Sequence, residues 1–225
     1  MEGKKLKRNR MLTCFIDAAT EIIEKEGING VTIRKVASIS GYNSATIYNY
    51  FENLNHLIFL ASMKFIRPYT ENLSNYIKDS KNALDKTLSV WECFCHYSFK
   101  NPEIYYFIFF TKLNNSINNY IKEYYEIYPQ ELISSNQNIT TMLLKHNIYD
   151  RSLILLEECV KEGFINKKDI FEINEMFMFI YKGMLSKIME KEIDDSIDNL
   201  VSKTIKYIKI CFNGYLDNQF QCKLS

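Results

Sequence analysis

The segment from Thr32 to Phe51 constrains the fold of this chain more than any other, because it predicts two short helices joined by a tight turn. Val36 and Ala37 can face inward on the first helix. Ile47 and Phe51 stand four residues apart, so they line one side of the second helix. The pattern is that of two helices that pack through small apolar faces.

Glycine and capping residues mark the ends of both predicted helices. Gly41 follows Ala37 by four residues; it lets the helices cross closely and accepts the left-handed backbone of a sharp turn. Thr32 and Asn43 each stand where an N-cap is expected. The segment therefore predicts a helix-turn-helix.

The outer face of the second helix carries short, hydrogen-bonding side chains and no long charged stripe. Such a surface can approach base edges and phosphates. The residues on it are Ser44, Ala45, Thr46, Tyr48 and Asn49. The sequence therefore predicts that this helix reads a DNA groove.

The net charge of +1 conceals an asymmetry. Residues 1–67 hold ten Lys or Arg and six Asp or Glu, so the positive end of the chain coincides with the helix-turn-helix. Five basic residues lie in the first ten positions and would sit beside phosphates if the motif lies on DNA. The alternative is a solvated, frayed terminus. These residues are Lys4, Lys5, Lys7, Arg8 and Arg10.

Length and composition predict one large or two small domains with a continuous core, since 47% of the 225 residues are apolar. The longest purely apolar run is Ile104 to Phe110, far short of the roughly 20 residues that cross a bilayer. The N-terminus is charged and shows no apolar segment before a cleavage site. We therefore expect a cytoplasmic protein with no membrane partner.

Six cysteines are scattered without a framework spacing, so we expect reduced thiols. Cys93 and Cys95 precede His96, but residues two apart on a helix point to different sides and cannot readily share one ion. We expect no metal and no cofactor. No catalytic triad, phosphate-cradling glycine loop or zincin signature occurs, so the chain is not predicted to be an enzyme.

Helical periodicity continues along the whole chain and no alternating strand pattern survives, which predicts an all-α fold. Apolar residues between Arg8 and Glu26 recur at helical spacing and end at Gly27. Asn53 caps a helix that we expect to run past Lys64 and to kink or end at Arg67-Pro68. Further helices are predicted near residues 82–99, 102–114, 117–127, 138–146, 150–162, 169–191 and 197–217.

The last two predicted helices are apolar on more than one face. One face can pack on the same chain and another on a second copy, which predicts a symmetric four-helix contact in a homodimer. The alternative is a helix wholly buried in the monomer. The predicted dimer residues are Ile173, Phe177, Ile180, Met184, Val201, Ile205, Ile208 and Phe212.

Nine of the twenty residues between Trp91 and Phe110 are aromatic, which is more than a packed helix pair needs. Aromatic walls with a few polar groups can hold a flat or greasy small molecule, although ordinary core is the alternative for any single residue. The predicted ligand region comprises Trp91, Phe94, Tyr97, Tyr105, Phe109, Phe177 and Tyr181.

About 50 residues at the N-terminus resemble the TetR family of bacterial transcriptional regulators. The resemblance rests on the helix ending in Gly27, on Thr32 to Ala37, on Gly41, and above all on Ile47 to Phe51 followed by a capped helix. It implies a three-helix DNA-binding head followed by a larger helical body that binds a ligand and dimerises. The implied domains are residues 1–53 and residues 54–225.

Carried over to this chain, the resemblance implies which residues meet DNA. Asn43, Ser44, Ala45, Thr46 and Asn49 would read bases and lie near phosphates. Tyr48 and Tyr50 would place hydroxyls on the backbone, and Thr32 and Arg34 would contact phosphates. The family usually has lysine where this chain has Leu54, and Glu52 replaces a residue that is often basic or neutral, so the basic N-terminus would carry more of the affinity.

Together these features predict a homodimeric regulator of transcription, most simply a repressor that leaves its double-stranded DNA operator when a small apolar or aromatic effector binds. The alternative is a helical DNA-binding regulator with no small-molecule effector, whose C-terminal body binds a protein partner. An enzyme that uses the aromatic region as an active site would lack any acid-base constellation.

Overall fold

A computed structural model describes residues 2–111, 117–132, 137–145 and 147–216. Within these ranges the chain forms twelve α-helices and no β-strand, which confirms the all-α prediction. The predicted helix ends at residues 114, 146 and 217 lie outside the described residues. The helices are α1 (Glu2–Glu26), α2 (Ile33–Ser40), α3 (Ser44–Tyr48), α4 (Leu54–Met63), α5 (Arg67–Ile77), α6 (Ala83–Lys100), α7 (Pro102–Phe110), α8 (Ile117–Ile127), α9 (Gln137–Leu143), α10 (Ile148–Lys161), α11 (Ile170–Met189) and α12 (Ile197–Asn213).

The chain divides into two compact units. The first comprises residues 1–67 and 110–133, and the second comprises residues 68–109 and 134–225. This division follows packing. The functional boundary at residue 53, between a DNA-binding and an effector-binding domain, stays a prediction.

The first unit is built around α1, which packs against α2, α4 and α8. The periodic apolar side chains of α1 are buried, as their spacing predicts: Leu12, Phe15, Ile16, Ala19, Ile22 and Ile23. Helix α8 packs on α4 as well as on α1. A helix from the middle of the sequence therefore completes the core of the N-terminal unit.

The ends of α2 and α3 confirm the predicted caps. Thr32 has extended backbone and its side chain accepts a hydrogen bond from the Lys35 amide, while Asn43 accepts one from the Thr46 amide. Gly41 ends α2 with a φ of 74°, a left-handed conformation that glycine adopts without strain. The turn between the two helices is thus set by local chemistry.

The break predicted at Arg67-Pro68 is present but begins earlier. Helix α4 ends at Met63, a short 3-10 turn covers Lys64–Ile66, and α5 starts at Arg67. Pro68 lies in the first turn of α5, where proline's missing N–H costs no helical hydrogen bond. The helix capped by Asn53 therefore stops before Lys64, and the 3-10 turn connects it to a separate α5.

The second unit is centred on α6, which packs against α10, α11 and α12. Helix α11 also packs along α10 and α12. These three helices bury most of α6, because α6 carries apolar side chains on several faces. No described helix is long and apolar enough to cross a membrane.

Candidate nucleic-acid interface and ligand site

Asn43 and Ile47 hold α3 in place, one as its N-cap and the other as its buried anchor. The Asn43 side-chain oxygen accepts from the Thr46 amide at 2.8 Å and from the Thr46 hydroxyl at 2.9 Å. Ile47 is fully buried. Tyr48 is left 58% exposed. The short helix is therefore capped, anchored and open to solvent on its outer face.

The predicted DNA-contacting residues lie on this open surface. Ser44, Thr46 and Tyr50 are half-buried, while the rest are exposed: Thr32, Arg34, Asn43, Ala45, Tyr48 and Asn49. Helix α3 ends at Tyr48 and Asn49 is its C-cap, so the predicted end near Phe51 is three residues too late. The Tyr50 amide bonds to the Ile47 carbonyl at 2.9 Å, which continues the turn beyond the helix.

The basic N-terminus lies beside the recognition helix. Helix α1 begins at Glu2, so the basic residues stand on a helix. The Arg8 guanidinium lies 5.6 Å from the centre of the Tyr50 ring, which also lies 5.7 Å from the Phe15 ring. A shallow depression here is lined by Lys4, Lys5, Lys7, Arg8, Asn49 and Tyr50. The basic side chains of α1 and the residues directly after α3 thus share one surface.

Glu52 is held by α8. Its carboxylate accepts a hydrogen bond from the Tyr120 hydroxyl at 2.7 Å, and its amide donates to His56 Nδ1 at 3.2 Å. Because Nδ1 accepts, the neutral ring carries its proton on Nε2, which lies 2.9 Å from the Glu123 carboxylate. The Tyr120 ring stacks on His56 at 4.0 Å. These four residues, here called the α4–α8 cluster, tie α4 to α8.

Six of the seven predicted ligand residues converge in the second unit. Trp91 and Phe94 stand at the centre: Phe177 and Tyr181 lie 5.9 and 5.6 Å from Trp91, and Tyr105 lies 5.5 Å from Phe94. Phe109 joins at 5.4 Å from Phe94. Tyr97 instead is half-buried beside His96 and Lys100 and does not belong to this aromatic cluster.

A small cavity of about 20 Å³ adjoins the aromatic cluster. Trp91 and Phe94 are the two predicted residues that line it, and seven more line it that sequence reasoning missed. They are Tyr69, Val90, Met142, Ile148, Arg151, Ser152 and Leu155. The missed signal is the spacing Ile148, Arg151, Leu155, which puts a cation on the apolar face of α10.

Arg151 is the most unusual of these residues, since it is a charged side chain only 4% exposed. Its Nε donates to the Lys145 carbonyl at 2.9 Å and its Nη2 to the Leu143 carbonyl at 2.8 Å. The guanidinium lies 4.9 Å from the centre of the Phe109 ring. The cation is thus fixed by neutral carbonyls and an aromatic face.

Burial sets the protonation of the groups around this region. It raises the pKa of Tyr105 and of Tyr181 well above the usual range, so both keep their phenolic protons. Burial also raises the pKa of Cys93 and Cys95, which makes them unreactive thiols at neutral pH. Among the described residues, no group of three or more His, Cys, Asp or Glu is arranged to hold a metal ion.

Seven of the eight predicted dimer residues are core residues of the single chain. Only Ile180 is partly exposed; buried are Ile173, Phe177, Met184, Val201, Ile205, Ile208 and Phe212. Side chains that α6, α11 and α12 already enclose have little surface left for a partner. The exposed apolar side chains on α11 and α12 are instead Phe171, Phe179, Tyr207 and Ile210.

Residues 15–59, which include α2, α3 and most of α4, match the family model of bacterial regulatory proteins of the tetR family. No curated protein sequence matches the chain.

Solved structures share the fold of nearly the whole chain. A protein of unknown function from Rhodococcus sp. RHA1 is 13% identical, with 92% of this chain and 95% of that chain covered and a TM-score of 0.58. A TetR-family transcription regulator from Marinobacter aquaeolei VT8 is 15% identical, with 97% and 100% covered and a TM-score of 0.50. At these identities the likeness shows the fold. The segment that matches the tetR family model contains the helix-turn-helix, and the remaining residues resemble such regulators in fold alone.

Proposed function

We propose that this regulator is a repressor that leaves its operator when a small apolar or aromatic molecule binds in the second unit. The observation that carries the proposal is the cavity beside the aromatic cluster, lined by Tyr69 and adjoined by Phe109. Both residues stand next to points where the chain passes between the two units, at residues 67–68 and 109–110. A ligand that moves these side chains acts on the chain that leads to α4 and towards α8.

We expect the movement caused by the ligand to reach the α4–α8 cluster. Only five residues separate α3 from α4, so a shift of α4 displaces the recognition helix directly. A ligand with higher affinity for the shifted state increases the population of that state. In a dimer the two recognition helices would then no longer match the spacing of the half-sites, and the operator would be released.

On DNA, we assign base and nearby phosphate contacts to Asn43, Ser44, Ala45, Thr46 and Asn49. The hydroxyls of Tyr48 and Tyr50 would contact the backbone, with Thr32 and Arg34 on phosphates at the start of α2. The helical basic cluster of α1 supplies further phosphate contacts, which predicts a steep fall of affinity with salt. The Tyr120 hydroxyl donates a hydrogen bond to the Glu52 carboxylate. Glu52 therefore does not act as a free acid at this surface.

We propose a homodimer through the outer faces of α11 and α12. Phe179 and Ile210 are 68% and 59% exposed there. Gly183, one turn after Phe179, stands in mid-helix, and a Cβ at this position would meet nothing within 4 Å in the single chain. Glycine costs a helix up to about 1 kcal/mol, so close approach by a second helix explains its presence better than packing within the monomer.

A repressor of this kind acts by binding and works in the cytoplasm, where the operator lies; we assign it no catalytic role.

The test is fluorescence anisotropy with full-length protein and an operator selected from random DNA. A panel of apolar and aromatic compounds should contain members that raise the melting temperature and weaken operator binding about tenfold or more. A broad panel that changes neither quantity would refute effector control. A reporter gene placed behind the operator tests repression: adding the protein should lower its expression, and the compound should restore it.

A further inference from the structure

The recognition segment, residues 43–50, comprises the N-cap of α3, the helix itself and the turn that follows it. It contains no Arg, Lys, Asp or Glu. Guanine is most often read by Arg or Lys through its O6 and N7 atoms, and cytosine by an acidic side chain that accepts from N4. The recognition segment can make neither contact, so it must read bases with carboxamide, hydroxyl and methyl groups.

Two cations on the neighbouring helices already have partners. On α2, the Lys35 ammonium forms an ion pair with the Glu26 carboxylate. On α1, the Arg8 guanidinium lies 3.6 Å from the Glu123 carboxylate and over the Tyr50 ring. The proposed function assigns the other basic side chains of α1 and α2 to phosphates. Base reading by α3 therefore depends on its uncharged side chains.

The two asparagines of the recognition segment differ in what they can still offer to a base. Asn43 Oδ1 accepts from the Thr46 amide at 2.8 Å and from the Thr46 hydroxyl at 2.9 Å. A carboxamide oxygen has two lone pairs, so these two bonds use its acceptor capacity. Asn49 instead caps α3 through its backbone N–H, and its side chain is exposed. Asn49 thus keeps a side-chain acceptor and a side-chain donor for DNA.

An acceptor beside a donor is what adenine requires in the major groove, because its N6 donates and its N7 accepts. Guanine presents two acceptors there, and one carboxamide cannot donate to both in the same way. The Thr46 hydroxyl does not supply the missing donor, since its proton is directed at Asn43 Oδ1. Ala45 is exposed and offers a methyl group, which suits the C5-methyl group of thymine.

We propose that α3 reads A·T base pairs in the major groove. Asn49 pairs with an adenine through N6 and N7, and Ala45 lies against a thymine methyl group. Asn43 and Thr46 fix the start of the helix and lie near phosphates. The inference rests on the proposed function and names the base pairs that the operator must present to α3.

Operators with single-atom changes in the bases test this directly. An operator is selected from random DNA with the full-length protein, and its affinity is measured by fluorescence anisotropy. Replacing the contacted adenine by 7-deazaadenine removes only the N7 acceptor and should weaken binding about fivefold or more. Replacing the contacted thymine by uracil removes only the methyl group and should weaken binding about fourfold.

The matched variants are Asn49→Ala and Asn43→Ser. Asn49→Ala should bind the 7-deazaadenine operator as well as it binds the unmodified operator. Asn43→Ser keeps a capping oxygen and should retain the sensitivity of the parent chain to 7-deazaadenine. Ala45→Gly should in the same way abolish the effect of uracil. Each readout is a ratio of two operators on one variant, so a general loss of affinity or stability does not change it.

An operator whose half-sites present only G·C pairs to α3 would overturn the inference. So would equal sensitivity of Asn49→Ala and the parent chain to 7-deazaadenine, or an operator that tolerates 7-deazaadenine at every adenine. In these cases sequence-specific binding remains and the proposed regulation stands. If the selection yields no preferred sequence and all DNA is bound alike, the proposed operator function fails together with this inference.

Discussion

Asn43 shows how one side chain can determine the geometry of the helix that we assign to DNA reading. Its amide oxygen accepts two hydrogen bonds from Thr46, one from the backbone and one from the hydroxyl. The second bond fixes the hydroxyl of a residue that is itself predicted to approach DNA. Capping and presentation of the recognition surface therefore depend on the same atom.

Asn43→Ala should lower the free energy of unfolding by about 1 kcal/mol, because the Thr46 amide loses its cap. Asn43→Ser retains a capping oxygen and should keep most of that stability. Thermal and urea denaturation of both variants measures the difference. Equal stability of Asn43→Ala and the parent chain would show that the cap contributes nothing to the fold.

Single residues were predictable where their role is local. Thr32, Gly41 and Asn43 act within four residues of their own position, and each takes the predicted conformation. His56 was not predictable, since its partner Glu123 is 67 residues away. The position of Arg151 could have been read from helical spacing, but spacing does not say that a cavity lies beside it.

At the scale of helices, the contact between α4 and α8 joins the recognition segment to the middle of the sequence. The Glu123 carboxylate is central, because it accepts from His56 Nε2 and lies 3.6 Å from the Arg8 guanidinium. The position of α8 along the sequence was predictable from its periodicity. Its packing on α1 and α4 was not, because amphipathicity shows which face is buried but not which element covers it.

Glu123→Ala should destabilise the protein by about 1–3 kcal/mol, because the buried His56 N–H loses its acceptor. Glu123→Gln keeps a side-chain oxygen in place and should cost clearly less. Chemical denaturation gives both values. Should the glutamine variant be as unstable as the alanine variant, charge and not hydrogen bonding would be the source of the effect.

The apolar faces of α11 and α12 illustrate a second limit of periodicity. Ile173, Phe177 and Ile208 were predicted to face a partner, yet all three are fully buried in the single chain. A helix with two apolar faces does not reveal which of them is covered by its own chain. The three-dimensional packing around α6 decides this and leaves Phe179 and Ile210 outside.

At the scale of the whole molecule, the proposed release of the operator requires two copies of the chain. Phe179→Glu should convert the dimer to a monomer at micromolar concentration, because a carboxylate would be buried without a partner at the contact. The single-chain fold should hold within about 0.5 kcal/mol, since the side chain is on its surface. Light scattering coupled to size exclusion measures the mass, and Leu144→Glu, another exposed apolar position, is the control that should stay dimeric.

We expect α3 and its flanking residues to read DNA, and the affinity for the operator checks this. Operator binding is compared by anisotropy for the parent chain, for Tyr48→Ala with Asn49→Ala, and for Asn166→Ala, an exposed asparagine outside the motif that makes no capping bond. The double variant should lose about 1–3 kcal/mol for the base contact of Asn49, and further affinity for the backbone contact of Tyr48, at an unchanged melting temperature. Asn166→Ala should bind as the parent does. Full operator affinity in the double variant would contradict the assignment of the recognition helix.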